Sequence, residues 1–214
     1  MSRRRRALIG AGIVIVVILA VPASLFVTGF ARFFYTPSEA MEPTMKKGDQ
    51  WVAWMRAPAT FNRGDIVLFE MRSAGIWAKR IVGLPGDRVA MIDGVVWLNG
   101  RTVAQRFLAN EPAPSRAERG YGPPQMRRLS EQLPGEASPH EILDAGRSPL
   151  DDLPEQVVAP GHFFVMGDNR DESVDSRMPA NRGIQGVGQL SIADVVGVPW
   201  FYRSWYRFGE AAGH

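Results

Sequence analysis

Cysteine is absent from the chain, so disulfides, thiol nucleophiles and cysteine-ligated zinc are all excluded. Histidine is scarce: His140 lies in a Pro/Gly-rich region, His214 is the last residue, and His162 follows a turn in Pro160-Gly161-His162-Phe163. Histidines so dispersed do not make a metal site. His162 reads either as the base of a Ser/His pair or as an ordinary turn histidine. A cationic surface is also missing. The formal charge of +3 is set by Arg3, Arg4, Arg5 and Arg6, because from residue 7 onward 21 basic residues face 22 acidic ones. Phosphate binding needs a concentrated cationic face on the folded domain, so nucleic acid is not an expected partner. Lysine is equally scarce, with Lys46, Lys47 and Lys79 the only three.

What the sequence does contain begins with an uncharged run of 25 residues, Ala7 to Ala31. As a helix it would be about 37 Å long, against a hydrocarbon core of about 30 Å. Four arginines precede it and only Arg32 follows closely. The positive-inside rule then predicts a cytoplasmic tail over 1–6, a single transmembrane helix over 7–31, and a domain exported across the membrane. Val21-Pro22-Ala23 leaves a cleaved signal peptide as the competing reading. Apolar sequence continuing through Phe30, beyond an ordinary signal-peptide core, favours a retained anchor.

Beyond the anchor the pattern is that of strands. Gln50–Trp54, 65–70 and 76–82 are short, rich in β-branched and aromatic residues, and punctuated by Gly64-Asp65, Gly75 and Pro85-Gly86. Asp93-Gly94 and Asn99-Gly100 are hairpin turn pairs on either side of Val95-Val96-Trp97-Leu98, which predicts a meander. Residues 105–156 hold many Pro, Arg, Glu and Ser residues with weak periodicity, and read as a loop-rich insertion. Order resumes at Gln156-Val157-Val158 and in the apolar Phe163-Phe164-Val165-Met166. The expected fold is mainly β: an antiparallel-sheet domain made of 32–104 and 157–214, behind one N-terminal helix.

Pro37-Ser38-Glu39-Ala40-Met41-Glu42-Pro43-Thr44 looks like a serine-protease box in which alanine occupies the place of the nucleophile, between prolines that keep the segment out of helix. A serine hydroxyl needs a base, and without a well-placed histidine the remaining base is a neutral lysine. Lysine becomes neutral near physiological pH only when it is desolvated or set beside other cations. Lys79 sits in Ile76-Trp77-Ala78-Lys79-Arg80-Ile81-Val82, where strand alternation puts it on one face with Trp77 and Ile81. The same pattern also suits a strand-edge lysine with its amine in water.

Four segments in register carry a resemblance. They are Pro37-Ser38-x-x-Met41-x-Pro43-Thr44, Arg63-Gly64-Asp65-Ile66-Val67, Lys79 to Asp87, and Gly167-Asp168-Asn169-Arg170-Asp171-x-Ser173-x-Asp175-Ser176-Arg177. Behind an N-terminal anchor, they make the chain resemble the type I signal peptidases, membrane-anchored Ser/Lys endopeptidases of the S26 type. The resemblance implies Lys79 as general base, Ala40 at the nucleophile's position, and Ser38 with the position-40 N–H as oxyanion hole. It further implies that Ser173 orients the amine, that Asp175 and Arg177 pair in support, that Gly167 and Asp168 form the floor, and that Met41 and Pro43 meet substrate. The implied partners are preprotein signal peptides with Ala-x-Ala-like sites and the lipid bilayer. No cofactor or metal is implied. A calcium loop starting at Asp171 fails, with Ser176 in place of the glycine and Arg182 in place of the bidentate glutamate.

Two departures stand out. Ala40 has a methyl group where a hydroxyl is needed, and Met178-Pro179-Ala180-Asn181-Arg182 replaces the expected Trp-Gly type continuation. The chain therefore reads either as an endopeptidase inactivated at its nucleophile or as an anchored pseudoenzyme that binds preproteins, or a protease partner, without cutting. A soluble self-cleaving repressor is the third reading, opposed by the anchor and by the lack of a DNA-binding region. Near the C-terminus, Trp200 to Phe208 reads as an aromatic and basic interfacial belt or as the packing of a last strand.

Overall fold

The computed structural model describes residues 24, 28–71, 75–112, 120, 125–181 and 184–203. The strands in chain order are β1 (Ala31–Tyr35), β2 (Gln50–Trp54), β3 (Ile66–Glu70), β4 (Ile76–Gly83), β5 (Arg88–Ile92), β6 (Val95–Leu98), β7 (Arg101–Thr102) and β8 (Ala104–Pro112). They continue with β9 (Gln125–Gln132), β10 (His140–Asp144), β11 (Leu153–Val157), β12 (His162–Met166), β13 (Ala180–Asn181), β14 (Ile184–Gln185), β15 (Leu190–Ser191) and β16 (Val195–Arg203). The domain is mainly β, and all of its paired strands run antiparallel.

Seven strands form the principal sheet in the order β1-β2-β16-β3-β4-β12-β15. Its middle is apolar because β3, β4 and β12 supply Val67, Phe69, Ile81, Phe163 and Val165, all 2% exposed or less. A second sheet, β11-β5-β6-β7, packs Val89, Met91, Val96 and Leu98 against Val82, Phe164 and Met166. Its hairpin turns have the backbone that their dipeptides require: φ is 50° at Asp93 and 78° at Gly94, and 54° at Asn99 and 78° at Gly100.

The anchor expected over 7–31 lies almost wholly outside the described residues. Its far end is corrected: residues 28–30 form a turn, with Gly29 at φ 73°, and Ala31 already opens β1. Among the described residues, no helix is long and apolar enough to cross a membrane.

The loop-rich insertion expected over 105–156 is also corrected. It carries most of a three-stranded sheet, β10-β9-β8, and β11 besides. The sheet was hidden because β8 has little buried surface and so lacks an apolar alternation. Cross-strand charge pairs partly take its place, with Arg128 at 3.0 Å from Glu111 and 3.7 Å from Glu141.

Candidate active site

The segment from 36 to 49 is a closed loop between paired strands. Thr36 N–H donates to the Asp49 carbonyl and Gly48 N–H to the Thr36 carbonyl, both at 2.9 Å, and Trp51 Nε1 donates to Thr36 Oγ1 at 3.1 Å. Within it Glu42 N–H donates to the Glu39 carbonyl at 3.0 Å and Met45 N–H to the Met41 carbonyl at 2.8 Å. These turns let Met41 and Met45 sink into an apolar cluster with Trp51, Ala53 and Leu68. Anchored by its two methionines, the loop leaves Ser38 exposed and Ala40 half-buried. The Ala40 carbonyl accepts from Asn169 N–H at 3.2 Å, which ties the loop to the segment after β12.

Lys79 is brought in by β4, which is flanked by β3 and β12 and so lies inside the sheet. Val67 stands opposite Lys79, and Arg80 faces both Ile66 and Met166. The lysine is only 3% exposed, with its Nζ 5.6 Å from the centre of the Trp77 ring. The shielded alternative, and not the water-facing one, is therefore realised. Burial pushes the amine down from 10.5 to about 8, against the opposing pull of the Asp175 and Asp168 carboxylates and with some help from Arg177. At pH 7 roughly a tenth of the amines are neutral, enough to supply a base.

Beneath these residues lies a floor of buried ion pairs. Arg80 grips Asp168 bidentately, Nε to Oδ1 at 2.7 Å and Nη2 to Oδ2 at 2.5 Å, and the Thr44 hydroxyl donates to Asp168 Oδ2 at 2.5 Å. Arg177 grips Asp175 in the same way, at 2.9 and 2.8 Å, and burial, which alone would raise the Asp175 carboxyl, is outweighed by Arg177, so it titrates below its ordinary value. Removing one partner of such a pair strands the other charge at a cost of about 3–5 kcal/mol. Gly167 is required by close approach: a Cβ there would collide with Ser173 Oγ and the Ala40 carbonyl oxygen. Ser173 Oγ is buried with no hydrogen-bond partner among the described residues, so a polar group remains available beside this contact.

Ser38, Ala40, Met41 and Lys79 line one cleft of about 300 Å³. Gly167, Asp168, Ser173, Asp175 and Arg177 do not line it and form its buried support. Pro43, expected to meet substrate, is not among the residues that line the cleft. The turn closed from Met41 to Met45 carries residues 42–44 away from the cleft and delivers Thr44 to Asp168 and Arg80. Of the departure at Met178–Arg182, Ala180 and Asn181 form β13 and pair with β14, the Met178 carbonyl is met by Gly188 N–H at 2.9 Å, and Arg182 lies outside the described residues. His162 accepts no catalytic part: its Nδ1 sits 2.9 Å from the Pro160 carbonyl, and it does not line the cleft.

Other lining residues had no assigned place in the sequence reading. Tyr35, Trp51, Glu172 and Val174 reach the cleft. The alternation in β4 already sets Trp77 beside Lys79, whereas Trp51 and Val174 arrive from distant segments.

The family model "Signal peptidase, peptidase S26" matches residues 7–202. Signal peptidase I of Bacillus licheniformis is 28% identical over 189 residues, covering 86% of this chain and 83% of that protein. Signal peptidase I U of Bacillus subtilis strain 168 is 28% identical over 206 residues, covering 92% and 89%. Signal peptidase I of Pseudomonas fluorescens is 31% identical over 161 residues, covering 67% of this chain and 54% of that longer protein. A crystal structure of a signal peptidase I from Enterococcus faecalis V583 aligns with a TM-score of 0.36 at 26% identity, over 66% of this chain and 98% of that one. With the family's model spanning nearly its whole length and relatives of one name on either side, the chain belongs to the type I signal peptidases of the S26 family.

Proposed function

We propose that this chain has the binding and catalytic framework of an endopeptidase that removes signal peptides from exported preproteins, and that it binds them without cutting because Ala40 supplies no hydroxyl. The observation that carries this reading is one cleft that holds both Ala40 and a lysine sealed from water. With a serine at position 40, neutral Lys79 takes the hydroxyl proton as Oγ attacks the carbonyl carbon. Ser38 and the position-40 N–H stabilise the oxyanion. Collapse breaks the C–N bond and Lys79 returns its proton to the leaving amine; water, deprotonated in turn by Lys79, then attacks the acyl carbon, and the acyl C–O bond breaks as Lys79 gives that proton back to the serine Oγ. The peptide lies extended along the cleft. β1 is an edge strand of its sheet, and its residues Phe34 and Tyr35 line the cleft, so strand addition there fits the geometry.

The expected result for the protein as it stands is calorimetric binding of an Ala-x-Ala peptide, weakened strongly when both alanines are replaced by bulky residues. Equal binding of the two peptides would remove the substrate assignment. The pseudoenzyme alternative rests on Ala40 alone and is separated by restoring the serine, as argued below.

The proposal also sets the domain on the exported side of a plasma membrane, held by an anchor over 7–31. Exposed aromatics support contact with lipid: Phe33 is 74% exposed, Tyr35 57% and Trp200 58%. Trp200 meets Trp54 edge-on at 5.8 Å, Trp54 stacks on Phe30 at 5.8 Å, and Arg56 lies 4.8 Å over the Phe30 ring, an aromatic and cationic group of the kind that seats at headgroups. Of the belt expected from Trp200 to Phe208, residues 204–208 lie outside the described residues. In bilayers of brominated lipid, Trp200→Phe should remove part of the tryptophan quenching of the full chain. Unchanged quenching would place Trp200 away from lipid.

A further inference from the structure

A buried histidine outside the four motif segments is joined to the floor of the site. His140 opens β10 opposite Glu131 on β9 and is 8% exposed. Its Nδ1 stands 2.9 Å from Glu136 Oε1, and its Nε2 is 3.3 Å from Glu131 Oε1, an ion-pair distance without hydrogen-bond alignment. Glu131 is fully buried and is held bidentately by Arg170. Glu136 in turn lies 4.0 Å from Arg80, the residue that grips Asp168. The backbone follows the same route. Leu143 N–H donates to the Asp168 carbonyl and Arg170 N–H to the Leu143 carbonyl, both at 2.9 Å, so β10 is fastened along the 168–170 segment.

The charges in this assembly can be counted. Arg80 and Arg170 are cationic, while Glu131, Glu136 and Asp168 are anionic, and Asp175 and Arg177 neutralise each other. With the Lys79 amine neutral, as its part as a base requires, a neutral His140 would leave one unbalanced carboxylate in a largely buried network, and a protonated one brings the sum to zero. Buried charge is tolerated only when it is paired in this way.

We infer that His140 is a positioning residue for the active site, supplying the positive charge that balances the buried ion network beneath Lys79 and so keeping Arg80, Asp168 and Arg170 in place. Burial alone would push the imidazole down, but its contacts with Glu131 and Glu136 outweigh it, with Asp168 adding and Arg80 subtracting, and hold it above its ordinary value. Burial alone would raise the Glu131 carboxyl, but Arg170 and then His140 outweigh it and hold it well below the usual carboxylate range. The inference rests on the reading of Lys79 as the general base, because its consequence is felt there. An extra negative charge in the floor favours the protonated amine.

The test uses the chain as it stands, without need of cleavage. With Lys46, Lys47 and Lys79 as the only lysines, ¹³C-lysine NMR resolves the Lys79 titration directly. His140→Gln should raise the Lys79 midpoint by roughly half to one pH unit. Glu136→Gln should lower it, and the double variant, which removes one charge of each sign, should return it towards the parent value. If His140→Gln does not fold, Glu136→Gln alone decides by its direction. A folded single variant that leaves Lys79 unmoved overturns the inference, and so does a double variant that behaves like His140→Gln. A parent Lys79 that titrates near 10.5 would instead defeat the general-base reading itself, whatever His140 does.

Discussion

In a chain carrying Ala40→Ser, exchange of Lys79 for methionine is expected to abolish cleavage, by at least about 10⁴-fold in kcat, while the Ala-x-Ala peptide still binds. The amine has no substitute among the described residues of the cleft, where Glu172 and Tyr35 are the other ionisable groups. The pH dependence has a definite sign. Lys79 must be neutral to act, so the rate of the serine form should rise tenfold per pH unit below about 8 and level off above it. Stability moves the same way. The folded pKa lies below the unfolded value, so the unfolded chain holds the extra proton between about 8 and 10.5, and stability rises with pH across that window. Below pH 8 the full penalty, about 3 kcal/mol, is present. Lys79→Met should therefore stabilise the protein at pH 7 and lose most of that gain by pH 10.5, a chemical-denaturation comparison that needs no substrate. A lysine merely filling space would give a variant with no pH-dependent difference.

Local features of the fold were the legible ones. The Asp-Gly and Asn-Gly turns, the alternation around Lys79 and the apolar run in β12 each write their geometry into a few neighbouring residues, and the strands lie where those signals put them. What could not be read is long-range or polar. Strand β8 shows little apolar alternation because neither of its faces is buried deeply, so its sheet passed for a loop. The pairing of Glu131 with Arg170 spans 39 residues and follows no local rule. The motif segments named Lys79, Asp168 and Arg177 together. Only the fold reveals that Thr44 and Arg80 share Asp168, and that His140 stands at the far end of the same network.

Restoring the nucleophile has the largest expected effect. Loss of a catalytic serine costs on the order of 10⁶ in kcat, and the exchange Ala40→Ser reverses it by adding one oxygen. Ala40 is half-buried at the edge of an open cleft, so the oxygen meets no packed core. The main-chain ties that set its loop, to Asn169 and between Met41 and Met45, involve no side chain at position 40 and persist in the serine form. The decisive measurement is mass spectrometry of a preprotein with an Ala-x-Ala site, incubated in parallel with the parent chain and with Ala40→Ser at pH 8. The account predicts an intact preprotein with the parent, and with the serine form a new N-terminus immediately after the second alanine. An uncut preprotein that nevertheless binds both forms would contradict it and favour the pseudoenzyme.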